Sequence, residues 1–510
     1  MHALIDSSPF DPCPAPFNLA AYVLAQAEVT PEKIALQIVS LTGAERWSYG
    51  ALAQAVRGIG TGLLRAGLEP GERVLLRLGN TVDFPLAFLG AIAVGLVPVP
   101  TSSQLTAEEI TAMAAQITPA AVIAAPGIAL PDAALPGGTL PVITTETLHR
   151  WRDNPPCDWA MGSPDRLAYL IFTSGTSGNP RAVMHAHRAV WARRMMWDGW
   201  YGLTPGTRLL HAGAFNWTYT LGTGLMDPWA SGNTALIPGA GVTPAQLPLL
   251  LKRFDVSIFA AAPGVYRQML RAPLAPMLHL RHGLSAGEKL PEQTREAWTQ
   301  ATGTPIYEAL GMSEVSTYIS ASPGHPASAG ASGYPQRGRK VAVLGEDGQP
   351  VPRGEAGVMA VGRDDPGLFL GYWGQEAETA AKFRGAWFLT GDTVSMDEDG
   401  AIRYLGRDDD MMNAGGFRVS PLEVEKAMNA HPGIVESAAI EARVSDTTSI
   451  LALYYVPGAD APGSASLAAH AEAHLARYKQ PRQFIAVEAL PKGANNKINR
   501  RALRQGYEAP

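Results

Sequence analysis

The sequence predicts an α/β protein with a large N-terminal domain of layered sheets and helices, a β-rich section, and a small α+β C-terminal domain. Three observations lead there. The chain has 510 residues, beyond the size at which a single hydrophobic core keeps growing. Amphipathic stretches alternate with short β-rich runs early in the chain, the pattern of helices layered on a largely parallel sheet. From Lys340 onward the pattern changes to closely spaced strands, and a tail of about 100 residues follows, a normal size for a small domain.

Each element has a local cause. Residues 49–68 carry apolar side chains at helical spacing, and Pro70-Gly71 breaks the chain before a strand at 73–78. Residues 83–94 read as a helix and 97–100 as a strand. The apolar run 84–99 contains Pro85 and Pro98 and falls short of the roughly 20 residues that span a bilayer. No membrane span is therefore expected. Residues 341–344, a Glu346-Asp347-Gly348 turn and residues 357–361 form the β-rich section. The charged segment Gly406-Arg407-Asp408-Asp409-Asp410 reads as a hinge, giving expected domains 1–406 and 407–510. Beyond it come a helix (421–429), two strands (437–442 and 450–456) and a second helix (466–476).

Composition excludes several classes. Hydrophobic residues make up 46% and charged residues 17%, as in a packed globular protein. The net charge of -5 is small and no basic tract stands out, which disfavours a nucleic-acid partner. Two cysteines, Cys13 and Cys157, have neither metal-ligand spacing nor a disulfide framework. With no signal-peptide pattern at the start, a cytoplasmic location is expected. His185 and His187, two apart, point in different directions on a helix and make a poor metal pair.

The apolar strand 169–172 runs into Thr173-Ser174-Gly175-Thr176-Ser177-Gly178-Asn179-Pro180-Arg181. Glycines let backbone N–H groups converge on an anion, hydroxyls add donors, and Arg181 supplies a fixed charge. A phosphate-binding loop and a flexible surface turn both fit these residues. The Walker A pattern is absent, and so is a G-x-S-x-G nucleophile elbow.

Thr173 to Val183 resembles the signature loop T-S-G-[ST]-T-G-x-P-K-G-V of the adenylate-forming superfamily, in its acyl- and aryl-CoA synthetase branch. Two departures stand out. Arg181 replaces lysine, and Ala182 replaces glycine, which would be costly if that position needs φ > 0. Further motifs follow in the family's order. Ser285-Ala286-Gly287-Glu288 resembles the adenine-contacting segment. Tyr307 to Glu314 resembles the Y-G-x-T-E element, with Ala309, Leu310, Gly311, Met312 and Ser313 near the nucleotide and Glu314 as the Mg²⁺ ligand. Trp387-Phe388-Leu389-Thr390-Gly391-Asp392 resembles W-[YF]-x-T-G-D, so Asp392 would hold the ribose hydroxyls. The 406–410 segment resembles G-R-x-D-D, implying Arg407 on ribose or phosphate and Asp409 as pivot. Residues 478–481 and 490–500 resemble the closing Y-K-x-P and L-P-K-T-x-x-G-K-I-x-R, with Lys497 on the catalytic lysine and Asn496 in place of glycine.

What the resemblance implies is a carboxylic acid–CoA ligase using ATP, Mg²⁺ and coenzyme A. Such an enzyme forms an acyl-adenylate and pyrophosphate, then a thioester. Thr173, Ser174, Gly175, Thr176, Ser177 and Gly178 would hold the phosphates, and Thr176, Arg181 and Lys497 would serve the adenylation step. Rotation of the small domain about Asp409, with the loop at Gly415 and Gly416, would then admit coenzyme A. The acid pocket would be lined by Phe215, Asn216, Trp217, Gly222, Ala262 and Gly311. Gly311 stands where acetate-specific relatives place tryptophan, which implies an acid larger than acetate. No aspartate occurs in 215–221, which disfavours an amino acid. The aromatics around Asn216 suggest a benzoate-type acid, whereas Met226-Asp227-Pro228-Trp229-Ala230 resembles medium-chain synthetases. The reading allows a homodimer. Its rivals are an enzyme that loads a separate carrier protein and a non-catalytic nucleotide-binding relative.

Overall fold

The computed structural model describes residues 1–7, 9–132, 140–173, 180–407, 410, 412–414, 417–445, 448–475, 477–493 and 497–507. The chain divides into two compact units: a larger one, Asp6–Lys340 with Gly362–Phe388, and a smaller one, Met1–Ile5, Val341–Val361 and Leu389–Pro510.

In the larger unit, β1 (Ile34–Val39) and β2 (Ala44–Ser48) form a hairpin leading into α1 (Tyr49–Arg65). The Ser48 hydroxyl accepts from the Ala51 amide at the head of this helix, satisfying an otherwise unpaired N–H. After it come β3 (Arg73–Arg77), α2 (Asp83–Ala93), β4 (Val97–Pro100), β5 (Ala121–Ala124) and β6 (Val142–Thr144). Strands β3 to β6 make a parallel sheet in the order β4-β3-β5-β6. Every residue of α2 is buried, which explains its unbroken apolar run. Glycines let the layers close up: a Cβ on Gly62 of α1 would lie 2.2 Å from the Trp151 ring, and one on Gly90 of α2 2.8 Å from Ile59.

Next comes an antiparallel hairpin, β7 (Leu167–Thr173) and β8 (Arg181–Ala186), with Thr173 opposite Arg181. The remaining strands are β9 (Arg208–His211), β10 (Thr234–Pro238), β11 (Ile258–Ala261), β12 (His282–Ser285), β13 (Ile306–Met312), β14 (Ser316–Ser320) and β15 (Tyr334–Pro335). They join β1 and β2 in a nine-stranded sheet, β15-β14-β13-β12-β11-β9-β10-β1-β2. Its centre, β13 to β1, is parallel, and both ends are antiparallel.

The smaller unit contains β16 (Lys340–Leu344), β17 (Ala356–Gly362), β18 (Trp387–Met396) and β19 (Ile402–Arg407). The N-terminal strand Leu4–Asp6 neighbours β16 in their sheet. The expected boundary at 406/407 therefore falls inside this unit, because the sheet hydrogen bonds gather strands distant in sequence. The tail adds α3 (Pro421–Met428), β20 (Ile434–Ser445), β21 (Thr448–Pro457), α4 (Ser464–His474), β22 (Gln483–Ala486) and α5 (Arg500–Gln505). Strand alternation gives the β20-β21-β22 sheet two apolar faces. Leu451, Leu453 and Leu467 share one cluster, and Ala452, Tyr454 and Leu503 share the other.

The larger unit buries an ion pair, Arg193–Asp227. The Asp227 carboxylate accepts from Arg193 Nε at 3.0 Å, from Nη2 at 2.6 Å and from the Tyr201 hydroxyl at 2.7 Å. Burial alone would lower the Arg193 pKa, but the Asp227 charge, the Tyr201 phenol and the hydrogen bond to Asp227 together outweigh it and the guanidinium is pushed up. Widened helical turns, Trp197–Tyr201 and Gly222–Met226, flank the pair. Asp227→Asn should cost about 3–5 kcal/mol by stranding a buried cation. Thermal unfolding followed by tryptophan fluorescence would register this as a lowered midpoint; an unchanged midpoint would refute it.

Buried histidines add a pH dependence. Burial pushes His185, His187 and His211 down to about 3 and His282 down to about 4. A depressed histidine binds its proton more readily when unfolded, so stability is full above the unfolded pKa near 6.5 and falls as pH drops toward 3–4. Each contributes a slope of roughly 1.4 kcal/mol per pH unit. The unfolding midpoint should therefore fall steeply from pH 6.5 to 4.5, and a flat profile would refute the assignment.

Candidate functional site

Parallel strands present their C-terminal ends to one edge of a sheet, and crevices there favour ligands. The hairpin β7/β8, the ends of β12 and β13, and residues 369–373 carry the expected groups of the larger unit. Of the loop itself, Ser174, Gly175, Thr176, Ser177 and Gly178 lie outside the described residues, as do Asp409, Gly415 and Gly416. Thr173 and Arg181 stand at its two ends as a cross-strand pair. Ala182 pairs with Phe172 inside the hairpin and is buried. It sits in an extended strand, where alanine carries no left-handed strain.

Glu314 lies in the β13–β14 connection and is buried. Its Oε1 accepts from the Tyr372 hydroxyl at 2.7 Å, and its carbonyl accepts from the Phe369 amide at 2.7 Å. Burial and then the Glu314 charge push the Tyr372 phenol up, so it remains a donor. The Arg181 guanidinium lies 5.4 Å from the centre of the Tyr372 ring, and its Nε is 2.5 Å from Glu378. A single carboxylate such as Glu314 is a fitting protein ligand for Mg²⁺, which keeps several waters and takes most of its other ligands from phosphate oxygens. Among the described residues no group of three or more His, Cys, Asp or Glu is arranged to hold a metal alone.

The segment after β12 is tied to β13 through Glu308. This buried carboxylate accepts from Lys289 Nζ at 3.0 Å, the Leu290 amide at 3.1 Å and Arg295 Nη2 at 3.0 Å. Ala286, Gly287 and Glu288 thus sit on a fixed turn, with Gly287 at φ +95, beside Ala309 to Ser313.

The expected acid-pocket residues divide. Asn216, Trp217 and Ala262 are half-buried. Phe215 is a core residue, stacked on Phe84 with ring centres 5.1 Å apart. Gly222 leaves space for Arg193, whose guanidinium would lie 2.1 Å from an added Cβ. Gly311 stands at a bulge where a Cβ would meet Ser316 O at 2.5 Å and Thr317 Cα at 2.7 Å. Its small size has a packing cause. Asn80, which carries no sequence signal, clamps the turn before Phe215 by donating to Gly213 O at 2.8 Å and accepting from the Phe215 amide at 3.1 Å. Tyr372, Glu378 and Arg193 were equally illegible, because their partners lie far away in sequence.

His185 stacks on Tyr169 with ring centres 4.5 Å apart, and His187 Nδ1 accepts from the Leu19 amide at 3.0 Å. The two rings serve separate packing roles.

In the smaller unit, Asp392 and Arg407 face each other across β18 and β19. Arg407 donates to Asp392 Oδ1 and to Thr390 O, both at 3.0 Å. Gly391 has φ +76, and a Cβ there would lie 2.9 Å from Arg407, so glycine is required between the two groups. Lys497 is exposed on a turn closed by a Lys492–Ile498 bridge and by the Gly493 amide donating to Lys497 O at 2.8 Å. Helix α5 follows at once, its Asn499 side chain capping the Ala502 amide.

Comparison with known proteins agrees with this assembly. Residues 23–373 match the family model for AMP-binding enzymes, and residues 423–497 match that for the AMP-binding enzyme C-terminal domain. The chain is 31% identical to the benzoate–CoA ligase of Thauera aromatica over 494 residues, covering 91% of this chain and 92% of that one. It is 27% identical to the mitochondrial acyl-coenzyme A synthetase ACSM3 of Homo sapiens, covering 96% and 90%. The crystal structure of a benzoate CoA ligase from Burkholderia xenovorans superposes with a TM-score of 0.85 at 28% identity, covering 96% of this chain and all of that one. A loop flanked by Thr173 and Arg181, the carboxylate of Glu314, the Asp392–Arg407 pair and the match over most of the sequence agree, and the chain belongs to the AMP-binding enzyme family, in its acyl- and aryl-CoA synthetase branch.

Proposed function

We propose that the protein is an ATP-dependent acid–thiol ligase that activates an aromatic, benzoate-type carboxylic acid as its adenylate and transfers the acyl group to coenzyme A. The observation that carries this reading is the Arg181–Tyr372–Glu314 arrangement at the closing end of the loop. It gathers a cation, a hydroxyl and a carboxylate, the kinds of group that triphosphate oxygens and Mg²⁺ would use. The reaction needs in-line attack of the acid's carboxylate on the α-phosphorus, with charge stabilised as pyrophosphate leaves. Arg181 meets the negative charge of the phosphates, Glu314 would hold Mg²⁺, and Asp392 with Arg407 takes the ribose. When bound, Mg²⁺ would neutralise charge on the phosphate oxygens. Lys497, exposed on its turn, bridges the acid and the α-phosphate. Residues 407–510 then turn about Asp409 so that the thiolate of coenzyme A attacks the acyl carbon and AMP leaves.

The aromatic preference rests on the half-buried Asn216 and Trp217 and on the likeness to benzoate–CoA ligases. A cytoplasmic enzyme, where ATP and coenzyme A meet, completes the reading. Pyrophosphate release across a panel of acids, with and without coenzyme A, tests it. Release and thioester formation with benzoate-type acids are expected. Preference for medium-chain acids would move the substrate class, release without thioester would point to a carrier protein, and no release would point to a non-catalytic relative.

Lys497→Ala should abolish adenylate formation, by about a hundredfold or more, while sparing thioester formation from supplied acyl-adenylate. Equal loss in both half-reactions would overturn the role of Lys497. Gly311→Ala should lower the unfolding midpoint and reduce activity with every acid alike, because the added Cβ strikes the β14 backbone. A selective change among acids would instead make Gly311 a specificity position.

A further inference from the structure

We propose that Tyr372 and Glu378 are positioning residues that couple Arg181 to Glu314, so that the cation closing the phosphate loop and the metal-binding carboxylate are set as one unit. The inference rests on the ligase reading above and deepens it by explaining why arginine stands at position 181.

The coupling has a built frame. Residues 370–373 are zipped onto β8: the Leu370 amide donates to Met184 O at 2.8 Å and the Trp373 amide to Ala182 O at 2.9 Å. Gly371 and Tyr372 pair with Met184 and Val183. The next helix begins close by, and Thr379 Oγ1 accepts from the Tyr372 amide at 2.9 Å. Gly371 has φ +136, and a Cβ there would lie 3.0 Å from Thr379, so this chain reversal requires glycine. The result fixes the Tyr372 ring, which is 2% exposed and packed edge-on against Phe369. From that ring two contacts diverge. Its hydroxyl donates to Glu314 Oε1, and its face carries the Arg181 guanidinium.

Glu378 completes the arrangement by an ion pair with Arg181, its Oε2 2.5 Å from Nε without the alignment of a hydrogen bond. A guanidinium is a planar fork that can serve two anions at once, one on Nε and another on the terminal nitrogens. An ammonium is a single point, and a carboxylate beside it competes directly with phosphate. With Glu378 present, arginine can stay clamped and still offer its outer nitrogens to the triphosphate, whereas lysine cannot. Arg181 and Glu378 therefore form one device, and the family's lysine would fit this chain only without Glu378.

The test is calorimetric titration of the full chain with ATP, with Mg²⁺ and with chelator, on variants whose unfolding midpoints are measured in parallel. Arg181→Lys should weaken Mg·ATP binding about tenfold, as expected for losing a charge-assisted contact, but less than about threefold in a Glu378→Gln background. Equal losses in both backgrounds would overturn the Arg181–Glu378 device. Tyr372→Phe keeps the ring and removes the hydroxyl, so it should weaken ATP binding several-fold with Mg²⁺ and leave the chelator titration unchanged. Equal weakening with and without Mg²⁺, or none in either, would overturn the link to Glu314. A parent protein that binds no Mg·ATP would overturn the ligase reading itself, and this inference with it.

Discussion

A guanidinium sealed from water must be surrounded by acceptors, and the burial of Arg193 imposes that demand on the heart of the larger unit. Its nitrogens reach Asp227, Thr223, the Tyr201 hydroxyl and Ser316. These partners come from three separate stretches, so one side chain fixes how the stretches meet. Gly222 must lack a side chain because the guanidinium fills its place. Ser316, at φ +66, is held in a left-handed conformation that few non-glycine residues adopt. That residue opens β14 two positions after Glu314. The buried pair thus anchors the turn that carries the carboxylate of the site. The desolvation cost of such a pair is large, and it is offset here by an almost complete set of hydrogen bonds.

This constraint marks the limit of what could be read in the sequence. Elements with local causes were legible. The helix expected at 49–68 is Tyr49–Arg65, the strand at 97–100 is Val97–Pro100, and the tail helices and strands fall within a few residues of expectation. Motif residues whose chemistry is their own, such as Asp392 and Arg407, were also legible. Residues defined by distant partners were not. Asp227 reads as one letter of a short motif until Arg193 is seen beside it. Small residues carry a packing role that the sequence hides: Gly222 and Gly311 read as pocket lining, and at each an added Cβ would strike a neighbour. The division into two compact units is illegible for a similar reason, since hydrogen bonding between strands far apart in sequence has no local signature.

The smaller unit shows how the turn bearing Lys497, the proposed catalytic lysine, is held in place. Lys497 lies inside the bridged pair Lys492 and Ile498, and the helix α5 follows that pair. The base of that helix carries Arg500, whose guanidinium meets the buried Glu425 at 2.8 Å. Burial pushes the Glu425 carboxyl up and Arg500 opposes it. Glu425 also accepts from the Ala439 amide at 2.8 Å, which joins α3, β20 and α5. The lysine turn is therefore fastened to the tail's core from its helical side.

The same network reaches the residue that follows the expected pivot, Asp409. Asp410 lies 2.5 Å from Arg504 and 3.6 Å from Arg500, two residues of the helix that follows the lysine turn. A carboxylate held by two guanidiniums moves with them. If residues 407–510 turn during the reaction, Asp410 belongs to the turning body, and the bending must occur ahead of it in the chain. On the other side, the Ser420 hydroxyl donates to Leu405 O, a neutral bond that is cheap to exchange with water. The charged pairs of Asp410 therefore lie within the turning body, whereas the Ser420–Leu405 hydrogen bond and the Arg407–Asp392 pair span the bend, and these are the contacts that turning must exchange.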